Sequence, residues 1–124
     1  MKKIVIAFLA LCLFCGCKKE NETTNAVVGK WAWFKSSAWT TATPQSTGQT
    51  WELIFNRNMT CSQTGTHLPP KNGTYTVTSD SLKITFTGDS YVTRFAILPS
   101  HADTLILDAG SFVDGPVHSF VRIN

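Results

Sequence analysis

No apolar run in this 124-residue chain approaches the length that a membrane-crossing helix needs, about 20 residues. Cysteine is nearly missing from its body: of four cysteines, Cys12, Cys15 and Cys17 lie near the N-terminus, and only Cys61 lies beyond them. With Cys12 and Cys15 in a segment that reads as a removed signal, and Cys17 as its modified cysteine, only Cys61 is left and no disulfide framework is expected within one copy. A lone thiol of this kind is expected to be buried as a small apolar group. Charge is sparse as well. Setting aside Lys2 and Lys3 of the N-terminal segment, eleven Lys and Arg become nine, against eight Asp and Glu. Without clustered basic residues there is nothing to follow a phosphate backbone, so nucleic acid is not an expected partner. The sequence also has no Gly-x-Ser-x-Gly elbow and no paired carboxylates on one inward face. His67, His101 and His118 fall in separate connections and strands, with no pair at a metal-ligand spacing. Neither an enzyme nor a metal or cofactor site is expected.

What the chain does have begins at its N-terminus. Lys2 and Lys3 precede an apolar run over residues 4–14, followed by Cys15-Gly16-Cys17 and then Lys18-Lys19-Glu20. This is the pattern of a secretory signal peptide over residues 1–16. Its end resembles a bacterial lipoprotein signal, in which a small residue precedes a cysteine that is lipidated on sulfur and becomes the mature N-terminus. The resemblance makes Cys17 the lipidation site, carrying diacylglycerol and a further acyl chain such as palmitate. More than one chain is needed for stable anchoring, since each buried CH2 contributes about 0.8 kcal/mol. Lys18 stands where an aspartate would signal inner-membrane retention, so the resemblance implies the outer membrane. Residues 17–26 are polar and read as a lipidated flexible tether. Residues 27–124 remain for one small domain with one core.

From Val27 on, apolar runs of five to eight residues alternate with Gly, Asn, Asp, Ser and Pro, an all-β pattern. Eight strands are predicted, at 29–35, 50–56, 59–63, 73–78, 81–87, 90–98, 103–108 and 117–123. Within them Trp51, Leu53 and Phe55 share a face, as do Leu82, Ile84 and Phe86, and Leu105 and Leu107. One face is to be buried and the other wetted, which is the habit of antiparallel sheets. Short connections make the strands a meander, and an eight-strand meander can abolish its edges by closing into an up-and-down barrel. A two-sheet β-sandwich shows the same alternation and stays open as the alternative. Asn56-Arg57-Asn58 is read as a tight turn with left-handed asparagine. Connections one, three and seven, at 36–49, 64–72 and 109–116, are read as long and gathered at one end, the mouth. The fifth is read as short.

The opening Gly29-Lys30-Trp31, with Gly73-Thr74-Tyr75, Asp80-Ser81-Leu82 and Asp103-Thr104-Leu105-Ile106-Leu107, resembles the short lipocalin-like domains carried by bacterial lipoproteins of the Bacteroidetes type. The resemblance spans residues 27–124. It implies a barrel whose base is built from Gly29 and Trp31, with Arg122 packing across the tryptophan. It also implies a lid in the first connection and a small apolar or amphipathic ligand. By strand parity alone Arg122 shares a face with His118 and Phe120, and if Val121 and Ile123 face inward instead, Arg122 is a surface residue.

Trp31 and Trp33 are expected to fill the interior, joined by Trp51, Phe55, Tyr75, Phe86, Tyr91 and Phe95, so any cavity should be small or open near the mouth. Trp39, Leu68 and Phe112 are the candidate ligand contacts, one from each long connection. Trp39 either folds back over the mouth or presents its ring to a ligand or partner. The leading functional expectation is a lipid-anchored envelope protein that binds a small apolar or amphipathic molecule at the mouth. The alternative is a filled barrel that contacts another envelope protein.

Overall fold

A computed structural model of the chain describes residues 26–110 and 115–124. The signal segment, Cys17, nearly all of the tether, and Phe112 lie outside the described residues. The elements are β1 (Gly29–Ser37), β2 (Thr41–Ala42), α1 (Pro44–Thr47), β3 (Trp51–Phe55), β4 (Thr60–Gly65), β5 (Leu68–Thr78), β6 (Ser81–Phe86), β7 (Thr93–Leu98), β8 (Thr104–Asp108) and β9 (Val117–Ile123). From β3 onward each strand pairs antiparallel with the next, β1 pairs with β3, and β9 returns to pair with β1. Eight strands thus form a closed up-and-down barrel, and β2 is a short extra strand on the mouth end of β1. The β1–β9 ladder excludes the sandwich.

Closure works because the alternation holds. Trp31, Leu53, Phe55, Leu82, Ile84 and Phe120 are all at most 1% exposed. Each buried aliphatic or aromatic side chain of this kind contributes about 1.5–3 kcal/mol. Cys61 lies among them at 4% exposure. Gly73 is required where β5 meets β6, because a Cβ there would overlap the Thr85 carbonyl oxygen and the Phe86 backbone.

Several expectations are corrected. The third connection is not a long loop: β4 and β5 run on to a two-residue turn at Thr66-His67, with His67 at φ 61°. Pro69 and Pro70 fit in β5 because they lie beyond its last pair with β6, Gly73↔Phe86, and at a register shift of the β4–β5 ladder, where the two prolines face the single Thr64. The fifth connection, residues 87–92, is longer than read, and Tyr91 is 62% exposed instead of inward. In the second turn the left-handed residue is Met59, φ 67°, and not an asparagine. Asn58 instead uses its side-chain oxygen to accept from the Thr60 N–H and hydroxyl, fixing the turn from outside.

Candidate functional site

One departure from strict alternation builds the mouth. Along the β1–β9 ladder, Trp33 pairs with Phe120 and Ser36 with His118, so β1 spends one more residue than β9 between those pairs. This β-bulge reverses the inward parity of β1. Phe34 and Lys35 both point outward, and Ser36 joins Trp33 on the inner side. Trp33 Nε1 donates to Ser36 Oγ at 2.7 Å, and Ser36 Oγ lies 2.6 Å from His118 Nδ1. Burial lowers the pKa of His118 below the ordinary imidazole value, so the ring is neutral at neutral pH. With Trp33 donating to Ser36, the Ser36 hydroxyl is free to donate to Nδ1, leaving the proton of the imidazole on Nε2.

This relay forms one wall of a mouth cavity of about 500 Å³, which Trp51, Leu68, Ala42 and Gln63 also line. The Trp51 ring stands edge-on to His118 and to Phe120, with centroids 5.0 and 4.9 Å apart. Its Nε1–H is enclosed and has no acceptor among the described residues, an arrangement that ordinarily costs about 1–3 kcal/mol. Trp51 and Gln63 also line a smaller cavity of about 180 Å³, between Leu53, Ile84, Phe86 and Phe95 in the barrel interior. At that cavity Lys71, on the inward parity of β5, meets Asp89 of the fifth connection at 2.9 and 3.0 Å. The hydrogen bond to Asp89 raises the Lys71 pKa.

The candidate contacts divide. Leu68 lines the mouth cavity, although from a strand and not a loop. Trp39 does not line it: the ring is 97% exposed, beside a separate open depression of about 450 Å³ with Ala38, Gly115 and Pro116. The first connection is shaped by other means. Thr43 caps α1, Pro44 starts it, and Gly48 ends it in the left-handed region, which brings Thr47 and Gln49 to the cavity rim.

At the opposite end, Gly29, Trp31 and Arg122 meet. Trp31 Nε1 donates to the Val27 carbonyl at 2.8 Å, and the Arg122 guanidinium lies 4.3 Å from the Trp31 ring centroid. Ser36, Gln63, Lys71, Asp89 and His118 were not among the candidates read from sequence. Ser36 needs the bulge to be seen, and its only trace is the apolar Phe34 directly after Trp33. Lys71 is hidden behind two prolines that read as loop.

Chemically, the mouth offers aromatic walls and neutral donors. Among the described residues, no three His, Cys, Asp or Glu side chains gather closely enough to hold a metal ion. Comparison of the chain with protein-family models, with curated proteins and with solved structures found no match in any of the three.

Proposed function

We propose that this chain is a lipid-anchored, lipocalin-like barrel of a bacterial cell envelope that binds a small apolar or amphipathic molecule in its mouth. The observation that carries the reading is the cavity of about 500 Å³ walled by Trp33, Trp51 and Leu68, a volume in the range of small-molecule sites. The anchor rests on the lipoprotein-like Gly16-Cys17. Titration of the purified protein with a panel of eight- to twelve-carbon alcohols, ketones and acids, read by tryptophan fluorescence and native mass spectrometry, tests the binding. Saturable binding that Leu68→Glu weakens at least tenfold is the expected result. Absence of binding by every member sinks the reading. For the anchor, Cys17→Ala should move the protein from the membrane fraction to the soluble fraction, and continued retention would count against lipidation.

A second reading is favoured by Trp39, whose 97% exposure suits contact with another envelope protein. A photo-crosslinking residue in place of Trp39 would then capture one discrete partner in cells. A pattern indistinguishable from that of a crosslinker at Lys83, on the outer face, would remove the reading.

A further inference from the structure

Resting on the binding reading above, we infer that the mouth selects an uncharged ligand bearing a hydrogen-bond acceptor, such as a ketone, ester or alcohol, and discriminates against carboxylates of the same chain length. Apart from His67 and His118, every described side chain that lines the mouth cavity is uncharged at any physiological pH. His118 is kept neutral by its burial, and His67 stands exposed at the rim. Lys71, at the neighbouring cavity, is held by both carboxylate oxygens of Asp89. A carboxylate entering the mouth would therefore lose its water without gaining a cationic partner. A neutral oxygen has the opposite prospect. Trp51 walls both cavities, but its indole N–H is enclosed, so the donors open to a ligand are those of its neighbours. The Gln63 side chain, whose amide carries donors, lines the same two cavities, and the His118 and Ser36 side chains line the mouth. The site thus offers neutral donors set in aromatic walls. Such a site rewards one acceptor on an apolar body and rejects analogues that cannot fill it.

The test compares decanoate, 2-decanone and decane on the purified full-length protein at pH 8, where the acid is ionised. The ketone is expected to bind at least tenfold more tightly than decanoate and several-fold more tightly than decane. Gln63→Met keeps a side chain of similar size in the wall but removes the amide donors, and it is expected to erase most of the advantage of the ketone over decane. Decanoate binding as tightly as the ketone would overturn the charge selectivity while leaving the pocket reading intact. An unchanged ketone advantage in Gln63→Met would overturn the acceptor assignment. Binding by none of the three would remove both the inference and the reading on which it rests.

Discussion

Arg122 and Trp31 are cross-strand partners on the ladder that closes the barrel, and the guanidinium lies 4.3 Å from the centre of the indole. Arg122 also donates to the Val28 carbonyl at 2.8 Å and reaches the Ala102 carbonyl, tying the start of β1 to the sixth connection. Gly29 makes room for this. A Cβ on Gly29 would overlap Arg122 Nη1, and its φ of 142° is one that other residues rarely adopt. The parity question is resolved by the same contact: Arg122, on the parity of His118 and Phe120, lies over the Trp31 ring, although the residue, like Val121, is exposed.

Arg122→Ala is therefore expected to cost about 1–2 kcal/mol, from the lost cation–π contact and backbone hydrogen bonds at an exposed site. Lysine should restore little of it, because it lacks the flat fork that stacks and donates together. Gly29→Ala should cost about 1–3 kcal/mol through its backbone strain, and somewhat less when Arg122 is already alanine. Urea unfolding of the two single variants and the double variant measures this coupling. Strict additivity would mean that the two residues do not share the base.

The stability of the protein should fall on mild acidification through His118. The folded-state pKa lies below the ordinary 6.5, because burial penalises the charged ring. Above about 6.5 neither state is protonated at this site and its contribution to stability is fully present. As pH falls below that value the unfolded chain takes up the proton first, and stability drops until the folded-state pKa is reached. Thermal unfolding followed from pH 8 to pH 5 should show a shallower decline in His118→Gln than in the native chain. Parallel profiles would place the acid sensitivity elsewhere.

Much of the barrel was legible because its strands obey a simple rule, apolar side chains on alternate positions, as in Leu82, Ile84 and Phe86. Closure was legible only as an economy of edges, and the β1–β9 ladder decides it. The site was less legible for two physical reasons. A bulge moves Ser36 inward without any change in composition, and the pairing of β4 with β5 outweighs the local signal of Pro69-Pro70. Trp39 stood out in sequence as an aromatic ring in a small, polar loop, yet such a loop offers it nothing to pack against.

Cys61 should be chemically silent in the folded protein. It is 4% exposed, and burial pushes its pKa up to about 11. At pH 8 that leaves a thiolate fraction on the order of one in a thousand, and the thiolate is the reactive form. Maleimide labelling read by peptide mass spectrometry should leave Cys61 unmodified in the native protein and label it fully in guanidinium. Rapid native labelling would show that this part of the barrel opens readily.

The bulge itself can be removed. Deleting Phe34 takes out the extra residue between Trp33 and Lys35, so the β1–β9 ladder could run unbroken. Alternation from an inward Trp33 through an outward Lys35 would still leave Ser36 on the inner face, opposite His118. The variant that breaks the relay is Ser36→Ala, which removes the 2.7 Å and 2.6 Å contacts that link Trp33, Ser36 and His118 and takes the hydroxyl partner from His118. The base, with Trp31 and Arg122, lies on the other side of the bulge and should be undisturbed. The expected result for Ser36→Ala is a folded barrel, destabilised by about 1–3 kcal/mol for the unpaired polar groups left in the wall, that binds 2-decanone more weakly. The Phe34 deletion, which keeps Ser36 inward, serves as the comparison and should retain more of the binding. If Ser36→Ala left both stability and ligand binding unchanged, the hydroxyl would be a packing accommodation with no part in forming the mouth.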